Sequence, residues 1–343
     1  MIVIDGSQGE GGGQIVRSSL ALALVTGIPV TIEHIRAGRK KPGLLRQHLA
    51  AVRAAADISQ AEVDGAELGS RRLVFRPGPV RSGSYNIRIG SAGSTTLVFQ
   101  TIYPALMLAE APSQLFLEGG THNPLAPPFD FLQQTLVPCL AKMGPSFELH
   151  LERYGFFPAG GGRFRASIEP ASTLKPLELM EGRPLGEPSV HALVARLPES
   201  IGWRECRTII RAMGWPEECA RVQTVRDSAG PGNVVLVRQP AGDVVELFTG
   251  FGRRGVRAED VAEEVVRALR RFLEAGVPVG EYLADQLLLP MALAAARGAG
   301  TSRIVTLPLT RHSTTQLDLI PRFLDVRFAI RELDGCRVCV EVQ

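Results

Sequence analysis

Histidines carry the most readily placed chemistry in this sequence, because a neutral imidazole can act as a nucleophile or a base near neutral pH. The chain has six of them. His312 lies in Thr310–Gln316, directly after a predicted strand, and His122 lies at the same point of another strand-to-helix connection. Neither is accompanied by a Ser–His–Asp order or by a partner at metal-ligand spacing. The residues alone therefore leave His312 and His122 as equal candidates.

A glycine-rich loop, Gly9–Gln14, follows the first predicted strand and begins a helix. Free backbone N–H groups and the helix dipole make such a position suitable for a phosphate. The loop is not a dinucleotide fingerprint, since Gln14 stands where the last glycine is required, and no Gly-Lys-Ser/Thr follows to make it a P-loop. Glu10 would repel a bare phosphate, so it indicates a divalent cation that bridges to phosphate oxygens. The alternative is a tight turn whose glycines serve packing.

Three arginines are candidates for a phosphate clamp, because guanidinium groups match phosphate geometry. Arg17 lies on a mostly apolar helix, about two turns beyond Glu10. Arg36 and Arg39 begin the stretch 36–56, which contains six basic residues and no acid. The alternatives are a structural ion pair for Arg17 and a solvated basic face for the stretch. The net charge of +3 is too small by itself to argue for nucleic acid.

Two further segments place small or polar residues before apolar helices. A Gly-Ser-Ala-Gly-Ser run precedes the helix that carries Gln100, and Gly280–Gln286 precedes a wholly apolar run. In a nucleoside site Tyr282 would stack on the base, while Asp285 or Gln286 would bond its polar edge. The alternatives are capping of the helix by Asp285 and burial of Tyr282 in the core.

Three repeated units position these residues. Each unit has small residues, an apolar helical run, a Gly or Pro stop and a strand, and the first two continue with an amphipathic helix of i, i+4, i+7, i+11 spacing. The strands that close the units are predicted at 72–75 and 85–89, 147–151 and 164–168, and 326–330 and 337–342. We therefore predict an α/β (α+β) fold in which three βαβαββ repeats form a large domain.

Residues 185–275 break the repeat pattern. They contain both tryptophans, helix candidates at 204–213 and 258–274, and a strand at 234–238. This pattern predicts a smaller inserted α/β domain. The large domain would comprise 1–184, with the first two repeats, and 276–343, with the third. With 343 residues, 45% of them hydrophobic, the chain is long and apolar enough for cores of this size.

Taken together, these segments resemble the RNA 3′-terminal phosphate cyclase family. The match runs in order along nearly the whole chain and is carried by Asp5–Arg17, Ile35–His48, Gly90–Gln100, Gly155–Gly162, Gly280–Gln286 and the surroundings of His312. The inserted domain matches more weakly, and Gln316 stands where some relatives are expected to have asparagine. The implied fold has three repeats, with the insert between the second and third.

The resemblance implies an ATP-dependent ligase that converts an RNA 3′-terminal phosphate to a 2′,3′-cyclic phosphodiester. It implies a covalent histidine-AMP, with His312 at the nucleophile position, and then an RNA-(5′)pp-adenylate. The implied ligands are ATP as substrate, Mg²⁺ or Mn²⁺, and RNA with a 3′-terminal phosphate. The matched positions are Gln100, Tyr282, Leu283, Ala284, Asp285 and Gln286 for ATP; Arg17, Arg36, Arg39 and Gln47 for phosphate or RNA; Glu10 for the metal; and Pro127, Pro128 or Phe131 for the second face of adenine.

Two other functions fit the same architecture. A non-catalytic relative that acts in RNA or ribosome assembly should lack the nucleophile, and His312 argues against it. An enolpyruvyl transferase built from similar repeats would form no covalent AMP. We expect a cytoplasmic protein without a membrane partner, since no apolar run has the length of a membrane span. The oligomeric state, with a homodimer among the options, and any contact of the insert with RNA stay open.

Overall fold

The computed structural model describes residues 1–343, which form four four-stranded sheets covered by helices. Three of the sheets share one strand order. In each, the strands of a unit lie in the order first, second, fourth, third. The first strand pairs in parallel with the second, and the other two pairings are antiparallel. The predicted α/β (α+β) fold with three βαβαββ repeats is therefore confirmed.

The first unit positions the glycine-rich loop between its first strand and first helix. Its elements are β1 (Ile2–Asp5), α1 (Gly13–Thr26), β2 (Val30–Glu33), α2 (Arg46–Ser59), β3 (Glu62–Asp64) and β4 (Leu73–Arg76). The prediction that 85–89 closes this unit is wrong, because the strand there pairs with the second unit. The actual third strand, β3, escaped prediction because it has three residues and two of them are acidic.

The second unit repeats this order. Its elements are β5 (Ser84–Arg88), α3 (Thr95–Leu106), β6 (Ser113–Gly119), α4 (Phe129–Phe131), a π-helical turn (Leu132–Leu136), α5 (Val137–Lys142), β7 (Ser146–Arg153) and β8 (Gly162–Glu169). The single amphipathic helix predicted here is thus continuous from 129 to 142 but contains a π-helical turn.

The third unit begins with β9 (Glu178–Leu179), which lies ahead of the insert. The insert has its own sheet and consists of β10 (Ser189–Ala195), α6 (Ser200–Met213), β11 (Ala220–Val225), β12 (Gly232–Ala241), β13 (Val244–Phe251) and α7 (Ala258–Ala275), with a 3₁₀ turn at Glu217–Cys219. The insert therefore interrupts the third unit after its first strand, instead of lying between the second and third units as expected. The limits 185–275 stay a prediction.

The remainder of the third unit follows the insert. It consists of α8 (Glu281–Ala296), β14 (Ser302–Thr306), α9 (Arg311–Leu319), a 3₁₀ turn (Ile320–Arg322), β15 (Phe328–Asp334) and β16 (Arg337–Val342). β9 pairs in parallel with β14, which completes the sheet although residues 180–301 separate the two strands.

One hydrophobic core joins the repeats. It takes in the apolar helices α1, α3 and α8, together with residues from all three repeat sheets. α1 packs against α2, α3 and α9, and α8 packs against α9. The amino ends of α1, α8 and α9 are thereby held close together. None of the helices is both long and apolar enough to span a membrane.

Candidate active site

His312 lies in the first turn of α9 with its side chain exposed. Its Nδ1 is 2.6 Å from Oε1 of Gln14, on the first turn of α1. An amide oxygen only accepts hydrogen bonds, so Nδ1 carries the proton and donates it. The lone pair of His312 is then on Nε2, which forms no bond within the protein. In the neutral form of the imidazole, Nε2 is therefore the nitrogen that is free to act as a nucleophile.

Asp285 on α8 fixes the orientation of Gln14. Its Oδ1 accepts a bond of 2.7 Å from Gln14 Nε2, so the amide nitrogen faces Asp285 and the amide oxygen faces His312. Gln316 Nε2 donates to the Asp285 main-chain oxygen at 2.6 Å, and Gln286 Nε2 donates to Oδ2 at 2.8 Å. Burial raises the pKa of Asp285, although the Gln316 bond, His312, Gln14 and Arg17 all oppose the rise.

A carboxyl group of the insert caps α8. Glu246 on β13 accepts the Gly280 N–H at 2.6 Å, at the amino end of the helix. Burial raises the Glu246 pKa to about 8, while the bonds from Gly280 and Leu247 oppose that rise. Capping by Asp285, the alternative interpretation of the sequence, is wrong, because its side chain bonds Gln14, Gln316 and Gln286.

A small cavity of about 40 Å³ lies beside this network and brings several predicted residues together. Arg17, Gln100, Asp285 and Gln286 line it, with Gln14 and Gln316 among the other lining residues. The volume holds water but not a nucleotide. Gln100 Nε2 is buried without a hydrogen-bond partner. A nucleotide at these residues would therefore lie over the mouth of the cavity and send at most a polar edge towards it.

Arg17 is a cation without a carboxylate partner. Burial lowers its pKa to about 10, opposed by the charges of Glu10 and Asp285, yet neither acid forms an ion pair with it. Beside it, burial, Arg17 and Arg36 lower the His48 pKa to about 3, so this imidazole is neutral. Arg17 is half-buried, and since a desolvated charge is unfavourable without a counter-ion, it marks a place for an anion.

The glycine-rich loop is held against α9. The Glu10 N–H donates to Thr315 Oγ1 at 2.8 Å. Gly9 has a φ of +56°, and a Cβ there would lie 2.3 Å from the same Oγ1, so the close approach requires glycine. Glu10 pairs through Oε1 with Arg39, whereas its Oε2 is buried without a partner.

The other predicted phosphate residues do not line the small cavity. Arg36 has its guanidinium bonded to the main-chain oxygens of Lys41 and Gly43, and so shapes its own loop. Burial and Arg39 lower the Arg36 pKa, opposed by Glu10. Gln47 Oε1 accepts the Ser94 N–H at 3.3 Å, at the start of α3, and does not line the small cavity.

The residues expected around adenine are dispersed. Tyr282 is 67% exposed and so presents an open ring face. Leu283 and Ala284 are buried in the main core, so their side chains are unavailable to a ligand. Of the candidates for the second face, Phe131 is also buried in the core, while Pro127 is half-buried and accepts a bond from Thr96 through its main chain.

His122, the other candidate nucleophile, is enclosed. Its side chain is 0% exposed, Nε2 is 2.7 Å from Asp130 Oδ2, and Nδ1 is 2.9 Å from Thr121 Oγ1. The rings of Tyr154 and Phe156 lie 5.1 and 5.5 Å from its own. Both nitrogens are engaged and no solvent reaches the ring, so this histidine is a structural group.

Sequence reasoning missed Gln14, Thr315 and Glu246. Gln14 and Ser18, one turn apart on a helix that is otherwise nearly all apolar, were the available signal, because buried polar groups require partners. Ser18 Oγ in fact donates to Gln316 Oε1 at 3.4 Å. No signal of this kind pointed to Glu246, since its partner lies on an element 34 residues away.

The structure also bears on a metal. No cluster of three or more His, Cys, Asp or Glu side chains is arranged to hold one. The free Oε2 of Glu10 offers a single protein ligand. One carboxylate suits a Mg²⁺-like ion that takes its remaining ligands from phosphate oxygens and water.

Comparison with known proteins gives the following matches. A family model described as RNA 3′-terminal phosphate cyclase matches residues 8–330. A curated RNA 3′-terminal phosphate cyclase from Koribacter versatilis (strain Ellin345) is 50% identical over 336 residues, which is 98% of this chain and 93% of the relative.

Solved structures show weaker similarity. The enolpyruvyl transferase NikO from Streptomyces tendae is 9% identical with a TM-score of 0.39, covering 98% of this chain and 47% of its own. An EPSP synthase from Acinetobacter baumannii is 10% identical with a TM-score of 0.28, covering 95% and 62%.

Proposed function

Because the chain belongs to the RNA 3′-terminal phosphate cyclase family and is an enzyme of that kind, we propose that it uses ATP to cyclise RNA 3′-terminal phosphates through AMP bound to His312. Family membership rests on the match to residues 8–330 and on the relative that is 50% identical. Beyond family membership, we propose the use of ATP and a metal and the formation of the histidine-AMP and the RNA-(5′)pp-adenylate.

The observation that carries this proposal is the bond from His312 Nδ1 to Gln14. It fixes the tautomer in which Nε2 has the lone pair, and the exposed ring leaves that nitrogen open to a phosphorus atom. Gln14 is in turn held by Asp285, so the imidazole is oriented before substrate binds. His122 offers no such nitrogen.

Arg17 would bind the phosphates of ATP or of the RNA end. Its guanidinium is desolvated and unpaired, and the nearby amino end of α1 has no side-chain cap. Both features favour an anion and would stabilise charge that develops on the phosphates. Arg36 and Arg39 add positive charge near Glu10.

Glu10 would hold a divalent cation, Mg²⁺ or Mn²⁺, through its free Oε2. Such a cation would supply charge neutralisation on the phosphate oxygens. Arg39 keeps the other carboxylate oxygen in place. Tyr282 would stack on adenine with its exposed ring, and Gln100 would bond its polar edge through the unpartnered Nε2.

The chemistry then proceeds in three displacements at phosphorus. His312 Nε2 forms a bond to the α-phosphorus of ATP, and pyrophosphate leaves. An oxygen of the RNA 3′-phosphate displaces the imidazole, which gives RNA-(5′)pp-adenylate. The adjacent 2′-OH attacks the activated 3′-phosphorus and loses its proton to solvent, and AMP leaves with the cyclic product. The last step needs little beyond alignment, since tethered nucleophiles reach effective molarities of about 10⁵ M.

Incubation with ATP labelled at the α-phosphorus tests the proposal. The wild-type protein with Mg²⁺ or Mn²⁺ should take up acid-labile label, and His312→Ala should take up none. His122→Ala is the matched control and should keep the label if circular dichroism shows it folded. Label that survives in His312→Ala but disappears from folded His122→Ala would assign the nucleophile to His122. Absence of label from the wild type would remove the covalent intermediate.

A further inference from the structure

A second and much larger cavity, of about 1010 Å³, lies between the second unit and the insert. On the large-domain side it is lined by Pro124 and Phe156–Pro158; on the insert side it is lined by α6, the loop Pro231–Asn233 and the segment that joins β13 to α7. Its volume is in the range of sites for small molecules or nucleotides. None of the residues assigned above to ATP, phosphate or metal lines it.

This cavity includes a motif that the proposed chemistry leaves unused. Gly155–Gly162 was one of the segments that carry the family resemblance. Its Phe157 side chain lines the cavity and is 62% exposed. Leu197 and Val256, also in the lining, are exposed as well. An open aromatic ring among apolar neighbours is a stacking surface for a planar group.

The charges around the cavity favour an anion. Four arginines line it: Arg204, Arg253, Arg254 and Arg257. Glu259 pairs with two of them, at 2.7 Å from Arg204 and 3.5 Å from Arg257, and Glu264 pairs with Arg253. Arg254 is exposed and has no carboxylate partner. The arginines thus exceed the acids that bind them, and one is wholly free for a ligand.

The only acid in the lining is Glu205. Burial raises its pKa to about 7, opposed by the Asn233 bond and the charge of Arg204. Its Oε2 accepts from Asn233 Nδ2 at 2.9 Å, whereas the buried Oε1 has no partner. A half-neutralised carboxyl adds little negative charge to the cavity, and an unpartnered atom in its wall signals a group that the protein does not supply.

One turn lies between segments that flank the cavity lining and Gln47, a predicted phosphate residue. Asn123 Nδ2 donates a hydrogen bond to the main-chain oxygen of Ala92, in the Ser91–Gly93 turn. Gly160 also packs closely against this turn, since a Cβ on Gly160 would lie 2.8 Å from Ala92 Cα. On its other side, a Cβ on Gly93 would lie 2.9 Å from Gln47 Cβ. Residues next to two lining segments of the cavity and a predicted phosphate residue therefore contact the same turn.

From this placement we infer that the cavity binds single-stranded RNA, holding nucleotides that precede the 3′-terminal phosphate. A base would stack on Phe157 and a backbone phosphate would bind Arg254, the combination by which proteins hold unpaired strands. The inference relies on the proposed function for the identity of the substrate. It adds a second site on the insert that selects for RNA length and takes no part in the chemistry.

Substrate length provides the test. Cyclisation is measured with a 3′-phosphorylated dinucleotide and with a 3′-phosphorylated RNA of about ten nucleotides. Phe157→Ala and Arg254→Ala should each raise KM for the longer RNA about tenfold, with kcat and KM for the dinucleotide unchanged. Arg211→Ala, an exposed arginine of α6 outside the cavity, is the matched control and should change neither. Equal effects on both substrates, or none on the longer, would overturn the inference.

A binding measurement separates this inference from the proposed function. Fluorescence anisotropy of an RNA of about ten nucleotides with a 3′-hydroxyl, which cannot react, should show weaker binding to both variants than to the wild type and the Arg211→Ala control. Their uptake of label from ATP should be normal, which also shows that they fold. If the wild-type protein takes up no label from ATP but still binds RNA in a length-dependent way, only the proposed function is refuted. A polyglutamate peptide that competes as well as RNA would show a general anion surface and refute this inference.

Discussion

The connections that follow the second strand in units two and three carry His122 and His312, and the two regions use one repeat position in opposite ways. His122 is enclosed, with Thr121 and Asp130 on its two nitrogens. His312 is exposed, with one nitrogen bonded to Gln14. The repeat brings a histidine to equivalent points of two sheets. The reactivity of each histidine depends on whether one ring nitrogen lacks a protein partner and is accessible to solvent.

Charge separates the two regions as well. Burial raises the pKa of Asp130, but the hydrogen bond and charge of His122 outweigh it, and the net pKa is lowered. At Asp285 burial prevails over all opposing contacts, and the pKa is raised. The contact with His122 thus favours the charged form of Asp130, whereas burial disfavours the charged form of Asp285 beside His312. A structure optimised for stability alone would not retain the second arrangement.

The largest effect should come from Arg17→Met. If Arg17 binds phosphate, label uptake from ATP should fall roughly 10²–10³-fold, because a preorganised cation is lost from the phosphates. Stability should stay equal or rise, since a desolvated and unpaired charge is removed. Label uptake and thermal unfolding measured on the same samples check both effects.

Arg53→Met, at an exposed position of α2, is the control for Arg17→Met and should change neither quantity. If Arg17→Met takes up label normally but has a lower melting temperature, Arg17 is a structural residue. The His312 region would then resemble the His122 region in being stabilised by its charged groups.

Gln14→Leu should have the next largest effect. It removes the acceptor for His312 Nδ1, so the ring can rotate and adopt the other tautomer, and label uptake should fall about 10²-fold. Gln316→Leu is the matched comparison, because it removes a different donor to Asp285 and leaves the Gln14–His312 bond. A pH profile of label uptake should change shape for Gln14→Leu only. Equal losses in both variants would mean that the Asp285 network acts as a whole.

Much of the fold could be predicted from the sequence, because the apolar helical runs make the repeats recognisable. The three buried helices and the strand pairs at 147–168 and 326–342 lie close to prediction. The assignment of 85–89 to the first unit and the position of the insert were wrong. Both depend on which strand pairs with which, and short strands such as Glu178–Leu179 contain no periodicity that could reveal their partner.

The site was less accessible for a related reason. Residues such as Arg17 and Glu10 were recognisable because a charge within an apolar or glycine-rich segment is unusual. The choice between His312 and His122 depended on hydrogen bonds that the sequence does not show. His312 bonds Gln14, which is 298 residues away, and His122 bonds Asp130, which is eight residues away. No local pattern encodes whether a histidine will be enclosed. Leu283 and Ala284 show the converse, since they fall within a matched motif yet belong to the core.

His122→Asn should destabilise the protein by about 3 kcal/mol, because it breaks a buried pair and leaves Asp130 without its partner. Label uptake should stay within about twofold of the wild type if the residue is structural, whereas loss of a catalytic group would lower it far more. Urea unfolding gives the free energy. His150→Asn, at an exposed position, is the control and should have little effect.

The pH dependence of that difference has a definite sign. Asp130 has a lowered pKa in the folded state, so its contribution is present above the unfolded value of 3.8 and is lost as the pH falls through the folded value. The gap between wild type and His122→Asn should therefore shrink in acid. A gap that stays constant from neutral pH to acid would show that the charge of Asp130 contributes nothing to this contact.

Glu246→Gln should give a smaller effect of the opposite sign, beside the His312 region. The Glu246 pKa rises from 4.5 to about 8 on folding, so its stabilising contribution is complete below 4.5 and is lost as the pH rises through 8. Glutamine still offers an oxygen to the Gly280 N–H and cannot ionise. The variant should match the wild type near pH 4.5 and be the more stable of the two at pH 9.

Urea unfolding at both pH values measures this effect, with Glu274→Gln at an exposed position of α7 as the control. Because Glu246 caps the helix that carries Asp285, label uptake by the wild type should also decline above pH 8 more steeply than that by Glu246→Gln. Identical pH profiles for stability would mean that the carboxyl ionises freely in the folded protein. The His312 region would then lack the strained charge that distinguishes it from the region around His122.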